Sequence, residues 1–542
     1  MADLLPPAVM AAMRPTLMDR LIGTVAPNVA LDRAFGRAKS ALVGEYAGAA
    51  PKRSTRNWFT WETSGNAVNS GTLKRNRSRS RDLARNEPIA LGAINTVVTN
   101  VVGSGLKLHA QVNAARLGLT DEAAEAWETR AEEEFALWCR TSDFLEQKTF
   151  AEIQSLVVRQ VAEAGDVLVV RRRKQDAPTT YKLRLQLIEA ERLSNPDNGA
   201  NTASMVDGVA LDKDGIPTGY SICNVHPTDI NLGTDRKWNT YDRGSSVTGA
   251  PLILHLFDER RVGQARGVPY LAPVIESLKE LSSYREAELR AAVISALFTV
   301  FVKKVPADNG MDPPIVGTNS PAANINPQTE LAMGSGAIID LAEGEDVTIA
   351  DPKRPNIAFQ AFVEAMCKQI GVALELPFEV LMKSFNASYS ASRAALEMAW
   401  QFFSNRREWL AARFCQPVYE WVITEAIVAG RLSAPGFFKD ESIRVAYLGA
   451  EWVGDAHIQL DPQKEASADL IDINMGSKTI EQVCIERTGG TFESKHRQRA
   501  KEQKMRKEAG LVTPTSLGAA QQMQQDDSPP PPKGGTTPGS DQ

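Results

Sequence analysis

The chain has 542 residues, too many for one hydrophobic core, so the sequence predicts several domains. Its formal net charge of -5 excludes a protein that binds polyanions over its whole surface, and leaves a local patch or a lined channel for any contact with nucleic acid. The longest strongly apolar run, AAVISALFTVFV, has about 12 residues, short of the ~20 needed to cross a bilayer. Because the N-terminus has no secretory signal, we expect a soluble protein made in the cytoplasm, without a membrane partner.

The cysteines and histidines lack the spacing of a disulfide framework or a metal site. Five cysteines lie far apart without a CxxC pair, and the five histidines form neither an HxxxH nor an HxH pair. This pattern favours reduced, buried thiols over disulfides or metal ligands. We therefore predict no metal site.

Residues 1–50 mix proline, alanine and short helical patches, and we interpret them as an N-terminal extension. Residues 52–85 are basic and are interrupted by Trp58, Phe59 and Trp61. A basic segment with aromatic residues can follow a nucleic-acid strand. The alternative, a solvated arm whose aromatic side chains pack on a neighbour, is favoured because runs of charge are usually solvated.

Three amphipathic helices are predicted next. The first covers residues 89–101 and stops at a Gly-Ser-Gly turn before the strand LKLHAQV, which favours a helix stop over a phosphate-binding loop. The second, over residues 121–140, is acidic and has three aromatic residues on its apolar side. The third, over residues 149–164, begins with a Thr-x-x-Glu capping box.

Between about 165 and 257 the hydrophobic period becomes that of strands. Turn sequences such as NPDNG and DKDG separate five short apolar segments, DVLVVRRR, YKLRLQLIEA, GVALD, GYSICNV and PLILHLF. We predict a small, mainly antiparallel β domain. The basic cluster at 171–174 is predicted to be a solvated turn at a strand end.

Two long helical runs with a tip between them follow. One helix is predicted over 269–302, and residues 303–355, rich in Pro, Gly and Asn, predict a compact tip with short strands. A second helical run covers 356–371, and after the polar loop KSFNASYSASR a long helix covers 391–429, in which Pro417 is predicted to cause a kink. The apolar stripe of the first helix consists of Leu271, Leu278, Leu281, Leu289, Val293 and Leu297.

The C-terminal part is less regular. Residues 432–460 are interpreted as irregular, aromatic-rich pieces, and residues 462–509 as helical with a charged end. Residues 511–542 are rich in Gln, Pro and Gly, which predicts a disordered tail.

The sequence lacks the short motifs of common enzyme classes. It contains no GxxxxGK[ST], GxSxG or HExxH motif and no kinase signature. Asp340, Glu343, Glu345 and Asp346 could belong to a metal-dependent nuclease, but a charged surface is the favoured interpretation. We predict that the chain is not an enzyme, with no catalytic residues and no cofactor.

Five stretches, in the same order over most of residues 75–510, resemble the portal proteins of tailed bacteriophages, in particular the lambda-like branch. They are SRDLARNEPIALGAINTVVTNVVGSGLKL, IEAERLSNP, LHLFDERRVGQARGVPYLAPVIESLKEL, LMKSFNASYSASRAALEMAW and GAEWVGDAHIQLDPQKEASA. Each motif alone is weak, and their common order carries the resemblance.

The resemblance implies an α+β portal fold with a mixed α/β wing, a two-helix stem, a small α/β clip, a long kinked spine helix and an α-helical crown, assembled as a ring. The implied parts are the N-terminal extension (1–50), wing (51–265), first stem helix (266–302), clip (303–355), second stem helix (356–372), tunnel loop (373–391), spine helix and return to the wing (392–461), crown (462–510) and disordered tail (511–542).

The resemblance also implies a function. Portal subunits form a ring, usually a dodecamer, at one capsid vertex, where the ring nucleates head assembly and conducts double-stranded DNA. The implied partners are further copies of the chain, the terminase large subunit, the major capsid and scaffold proteins, and head-completion and tail adaptor proteins. The implied location is the virion, and the host cytoplasm during assembly.

A loop with one cation suits a channel in which DNA slides, because many Lys and Arg side chains would hold the phosphates. We therefore predict that the loop lines the narrowest part of the channel. Its predicted channel residues are Lys383, Ser384, Phe385, Asn386, Ser388, Tyr389 and Ser390. The alternative is an ordinary buried connection between helices.

Two other functions compete with the portal interpretation. One is a DNA-processing enzyme such as a nuclease, which would use the basic segment 52–85. The other is a minor capsid or scaffold-like protein, which would bind other head proteins without forming closed rings.

Overall fold

A computed structural model describes residues 16–27, 29, 31, 33, 62–176, 178–229, 235–246, 249–296, 300–304, 345–349, 359–386, 388–456, 462–488 and 492–511. Residues 1–64 and residues 65–542 form two compact units, and each is described by itself. In the first unit, helix α1 (Leu17–Val25) begins with a capping box, in which the Thr16 hydroxyl accepts from the Asp19 N–H and the Asp19 carboxylate accepts from the Thr16 N–H at 2.9 Å.

The second unit combines helices with small antiparallel sheets, which confirms the predicted α+β class. Its helices are α2 (Gly65–Ser70), α3 (Leu73–Asn86), α4 (Pro88–Val101), α5 (Ala114–Leu117), α6 (Asp121–Cys139), α7 (Phe150–Ala164), α8 (Ile275–Ala296), α9 (Phe359–Ala373), α10 (Phe378–Met382), α11 (Tyr389–Leu410), α12 (Gln416–Val428), α13 (Glu441–Tyr447), α14 (Pro462–Met475), α15 (Ile480–Thr488) and α16 (Phe492–Glu508). Its strands are β1 (Lys107–Ala110), β2 (Asp166–Arg173), β3 (Leu183–Glu189), β4 (Met205–Val206), β5 (Val209–Leu211), β6 (Pro217–Cys223), β7 (Trp238–Asp242), β8 (Ile253–Phe257), β9 (Val300–Lys304), β10 (Glu345–Ile349) and β11 (Ala450–Val453). Among the described residues, no helix is both long and apolar enough to cross a membrane.

The main hydrophobic core lies among α4, α6, α7, α11 and α12. The Phe135 ring packs edge to face on the rings of Phe150 and Tyr419, with centroids 5.5 and 5.7 Å away. The buried indole of Trp138 donates from Nε1 to the Leu183 carbonyl at 3.1 Å, which ties α6 to the β domain. The predicted helices are confirmed here, including the capping box at the start of α7.

Two antiparallel sheets form the β domain, with strand orders β3-β2-β8 and β4-β5-β6-β7. The prediction of a mainly antiparallel domain in this region is therefore confirmed. Strands β4 and β7 were not predicted, because β4 has two residues and β7, WNTYD, is largely polar. Outside this domain, β1 pairs antiparallel with β11, which joins the early helices to a segment more than 300 residues later.

Within the described part of the basic segment, helix α3 buries one of its faces, so the expectation of a solvated arm is wrong for residues 73–86. Within α3, Arg77 is buried, and Arg81 donates to the two carboxylate oxygens of Glu191 at 2.7 and 3.0 Å. These inward-facing cations are held by carboxylates of the same chain. Residues 52–61, with the three aromatic residues named above, lie outside the described residues.

The first long helix is shorter than the predicted range 269–302. A 3-10 turn at Ala272–Val274 precedes α8, which ends at Ala296, and β9 then pairs antiparallel with β10. Alternating valines in β9 favour an extended backbone over a helix. The rest of the expected tip, residues 305–344 and 350–355, lies outside the described residues.

The second long helix contains an irregular turn. Between α11 and α12, residues Ala411–Cys415 form a π turn, in which the Gln416 N–H donates to the Ala411 carbonyl. Pro417 has no N–H to donate to the carbonyl four residues earlier, so a regular helical ladder cannot continue through this point. The irregularity predicted at Pro417 therefore takes the form of a π turn just before it.

The C-terminal elements correct one prediction and confirm another. Residues 432–460 are not wholly irregular, because they contain α13 and β11. The helical character predicted for 462–509 is confirmed by α14, α15 and α16.

A buried ionic cluster connects α3, the β3-β2-β8 sheet and the segment that leads into α8. The Asp166 carboxylate accepts from Arg266 Nε at 2.5 Å and from Arg77 Nη2 at 3.1 Å, and it lies 3.2 Å from His255 Nε2. None of these four side chains is more than 5% exposed. Arg266 also donates to three backbone carbonyls, so most of its hydrogen-bonding capacity is used.

Burial alone would raise the pKa of Asp166, but the charges of Arg266 and Arg77 outweigh it and hold this pKa well below its usual range. Burial lowers the pKa of His255, although its hydrogen bond to Asp166 opposes this. The stabilisation from Asp166 is thus present above the unfolded-state pKa of about 4, and is lost as the pH falls through the folded-state pKa.

The substitution Asp166→Asn should lower the free energy of unfolding by about 3–5 kcal/mol, because it leaves two buried guanidinium groups without their carboxylate. Urea denaturation at pH 7 measures the change. The control Asp214→Asn, in an exposed turn, should change this free energy by less than about 0.5 kcal/mol. Equal unfolding midpoints for the two variants would contradict the role given to the cluster.

Candidate functional site

The loop predicted as the functional site connects α10 to α11. Lys383 ends α10 and Ser388 is the N-cap of α11. Between them, residues 384–386 are described and residue 387 is not. The predicted residues are neighbours in the sequence, and the described ones lie at the junction of α10 and α11.

Lys383 reverses the chain direction after α10. Its φ of 52° lies in the left-handed region, which costs a residue with a side chain about 1–2 kcal/mol. This conformation allows the N–H groups of Lys383 and Ser384 to donate to the Glu379 carbonyl, and the N–H of Ser384 does so at 3.0 Å. This αL ending stops the helix and directs the following residues away from it.

Two of the predicted loop residues belong to a helix, so their assignment to the loop is wrong. Helix α11 begins at Tyr389 rather than at 391, and Tyr389 and Ser390 form its first turn. The Ser388 hydroxyl accepts from the Ala391 N–H at 3.4 Å, which satisfies one of the N–H groups left open at the helix start.

The loop surface is exposed, so it is not a buried connection within the described chain. Phe385 and Tyr389 keep 48% and 49% of their surface accessible, and Lys383 is the one cation. The Asn386 amide donates to the Ser384 hydroxyl at 3.0 Å. The surface offered is therefore small hydroxyls, one amide, one ammonium and two aromatic rings.

The base of the loop is fixed by close packing. Gly371 in α9 lies against the next turn, where its carbonyl accepts from the Leu376 N–H at 2.9 Å. The Tyr270 hydroxyl donates to the Leu374 carbonyl, which connects this turn to the segment before α8. Two apolar residues of α10 are buried. The loop thus has an exposed tip on a rigid base.

A cavity of about 230 Å³ lies between α4, the loop and α11. Its polar wall comes from α4 and its apolar wall from α10 and α11; the lining includes Asn95, Thr96, Thr99, Asn100, Val380, Phe385, Leu396, Trp400 and Phe403. The buried Thr96 hydroxyl has no hydrogen-bond partner among the described residues. The loop therefore does not seal against α4 and has space to move on its base.

The basic cluster at 171–174 is not a solvated turn, so that prediction is wrong. The guanidinium groups of Arg171 and Arg172 lie over the rings of Trp421 and Tyr241, 5.5 and 5.6 Å from their centroids. The next two residues pair with glutamates at 3.6 and 2.7 Å. These cations are used within the chain.

One group among the described residues could hold a metal ion on distance alone. Glu189, Glu191 and His226 each place a ligand atom within 4.8 Å of the others. However, Arg81 occupies both oxygens of Glu191, and His226 Nδ1 lies 2.9 Å from the Thr228 hydroxyl. We interpret this group as an ion-pair cluster. Sequence spacing could not indicate this group, because the two glutamates lie at and just after the end of β3 whereas His226 lies in the connection between β6 and β7.

Comparisons with known proteins point to one family. A family model described as "Phage portal protein, lambda family" matches residues 51–407, more than half of the chain. Two phage proteins are each 24% identical over 489 residues, covering 86% of this chain and 90% of their own length. They are the portal protein of Escherichia phage N15 and portal protein B of Escherichia phage lambda.

Among solved structures, a chain from the virion of the native gene transfer agent particle is similar with a TM-score of 0.41 and 14% sequence identity. The match covers 79% of this chain and 99% of the solved chain.

The substitution Gly371→Ala should lower the free energy of unfolding by about 1–3 kcal/mol, because the added Cβ would lie 2.5 Å from the Leu376 carbonyl oxygen. The control Gly92→Ala, in helix α4, adds a Cβ that meets nothing within 4 Å and should raise this free energy by about 0.5–1 kcal/mol. Thermal unfolding measures both changes. If both substitutions changed the free energy of unfolding in the same direction, the base of the loop would not be tightly packed.

Proposed function

Because the chain belongs to the lambda family of phage portal proteins, we propose that it forms the ring-shaped channel at one vertex of a phage capsid. The match of the family model to residues 51–407 carries this proposal. The two portal relatives, matched over 86% of the chain, support it. In this role the chain is a structural conduit for double-stranded DNA during packaging and ejection, rather than a catalyst.

An exposed apolar face supports ring formation. In α8, Leu278 is buried, whereas Leu289 and Val293, further along the same predicted stripe, are 66% and 54% exposed. Helix α9 packs beside α8, where the Phe362 ring lies edge to face on Tyr284 at 4.8 Å. A second copy placed alongside this helix pair would cover the open half of the stripe. We expect twelve copies in the closed ring.

The parts of the fold receive the following roles in this proposal. Residues 51–265 are the wing, α8 and α9 the stem, β9 and β10 the ends of the clip, residues 373–391 the tunnel segment, α11 and α12 the spine, and α14–α16 the crown. The expected partners are the terminase large subunit at the clip, the major capsid and scaffold proteins, and the head-completion and tail adaptor proteins. The ring would assemble in the host cytoplasm and remain in the virion.

The exposed loop is proposed to face the DNA in the channel. Each subunit would contribute one ammonium, from Lys383, beside hydroxyls and an amide. Few phosphate contacts give weak binding, so the duplex can slide. The rigid base around Gly371 would hold the loops of all subunits at one radius.

The competing functions differ in assembly. The nuclease alternative depended on the basic segment, and two arginines of its described part, Arg77 and Arg81, pair with Asp166 and Glu191 instead. Negative-stain images and the mass of the purified assembly separate the alternatives. Rings with a central hole support a portal, and a monomer with metal-dependent DNA cleavage supports a nuclease. Open assemblies that bind other head proteins support a minor capsid protein.

The double substitution Leu289→Glu and Val293→Glu should prevent ring formation without unfolding the subunit, because both side chains are already exposed in it. The loss of about 3–5 kcal/mol of apolar burial for each interface would weaken association more than 100-fold. Mass photometry measures the assembly. The control Val262→Glu, on a fully exposed valine outside α8, should still form rings. Rings of unchanged mass in the double variant would refute this interface.

Removal of residues 384–387, or the substitution Lys383→Ala, should reduce the amount of DNA packaged or retained in filled heads, because each changes the narrowest part of the channel. The measurement is nuclease-protected DNA after in vitro packaging. The control Lys213→Ala, in an exposed turn of the β domain, should package normally. Normal packaging and retention by both loop variants would remove the loop from the channel.

A further inference from the structure

Helix α16 carries a net positive charge in a chain that is acidic overall. Its 17 residues include seven Lys or Arg and three Glu, whereas the whole chain has a net charge of -5. Its first turns face α15, where Lys495 Nζ donates to the Cys484 carbonyl at 3.2 Å. From residue 498 to residue 511 every residue is exposed. This part of the helix therefore has no side that faces its own core.

Five cations project from the exposed part of α16. They are Arg499, Lys501, Lys504, Arg506 and Lys507. Three of them follow one another at three-residue steps, and the two arginines are seven residues apart, so the five form two rows along the helix. Their side chains make no ion pair or hydrogen bond with another described residue. With Glu502 and Glu508, the exposed part has five cations and two carboxylates, a net charge of +3 that an anionic partner would compensate.

In the neighbouring helices α14 and α15 and in their connection, cations pair with carboxylates of the same chain. Lys478 Nζ lies 2.6 Å from a Glu486 oxygen and 3.8 Å from an Asp469 oxygen, and Arg487 donates to Asp469. The cations beside α14 and in α15 are thus compensated within the chain. The excess positive charge of this region is concentrated on α16.

We propose that α16 binds the phosphate backbone of double-stranded DNA without reading its sequence. The proposal deepens the proposed function, since it rests on a portal that conducts DNA and names a DNA contact separate from the loop. The five cations lie between residues 499 and 507 and span about 12 Å at 1.5 Å per residue, a length over which a duplex presents about seven phosphate charges. This length of duplex therefore carries enough phosphates for the five cations.

A nucleic acid fits this surface better than an acidic protein. Protein interfaces draw their affinity from buried aromatic or large apolar anchors. From residue 498 onward, the described part of the chain offers only Met505 and Leu511 as large apolar side chains. Phosphate binding needs cations alone, because the release of counterions from DNA drives it.

The test uses the full-length assembled protein and a duplex of about 60 base pairs with random sequence, with affinity measured by fluorescence anisotropy between about 50 and 200 mM salt. The test variant replaces Lys501, Lys504, Arg506 and Lys507 by Gln. The control variant replaces Lys74, Arg75, Arg79 and Arg85 by Gln, which removes the same charge from exposed positions on α3. Neither set is buried, so both variants should fold.

The slope of log K against log salt should fall by at least about 3–4 in the α16 variant, which is the contribution of the four cations of one subunit, with at least a tenfold loss of affinity at low salt, and by less than about 1 in the control. An unchanged slope in the α16 variant, or an equal loss in the control, would overturn the proposal. Tighter binding of poly-L-glutamate than of DNA would assign α16 to an acidic protein instead. Negative-stain images of the same samples distinguish the failure of the two proposals. If the α16 variant forms rings and binds DNA as the unmodified protein does, only the role of α16 is rejected. If the unmodified protein forms no rings, the portal function is rejected.

Discussion

The carboxylate of Asp166 compensates two guanidinium groups in a region from which water is almost excluded. Arg77 comes from α3 and Arg266 from the segment before α8, so one side chain holds together three parts of the chain that are far apart in sequence. A buried ion pair is favourable only when its geometry and remaining hydrogen bonds are nearly complete, which explains why Arg266 also binds three backbone carbonyls. His255 resembles part of a catalytic dyad, but its burial leaves no reactant access to it, and its role is structural.

The position of the loop depends on this constraint through a short chain of contacts. The segment that Arg266 holds continues to Tyr270, whose hydroxyl reaches the Leu374 carbonyl at the base of the loop. Gly371 permits the close approach of the backbone there, and α10 then packs its apolar residues inward. The tip of the loop receives no such support and borders a cavity. A packed base with an exposed tip is compatible with the proposed role of the loop in the channel.

Basic residues have different uses in different parts of this fold. Arg77, Arg81 and the cluster at 171–174 are compensated by carboxylates or aromatic rings of the same chain, whereas the five cations of α16 from Arg499 to Lys507 are exposed. Composition alone does not distinguish these cases, because a run of Lys and Arg looks the same whether it packs against acidic residues or faces water. In the described part of the basic segment that attracted the nucleic-acid interpretation, Arg77 and Arg81 point inward and pair with carboxylates, whereas its other cations are exposed.

Local patterns in the sequence by themselves determined the α+β class, the helices α4, α6 and α7, the capping box of α7, the antiparallel β domain and, through the order of weak motifs, the portal family. The helices, the capping box and the strands follow from periodicity, capping and turn chemistry, which act over a few residues, whereas the family follows from resemblance to known sequences. Only the tertiary structure decided that α8 ends early, that Tyr389 and Ser390 belong to a helix, that β1 pairs with β11, and that Asp166 joins two arginines. The last two features depend on contacts between residues about 100 to more than 300 positions apart, and such contacts leave no periodic signal in the sequence. The first two are element boundaries, which a hydrophobic period does not locate to the residue.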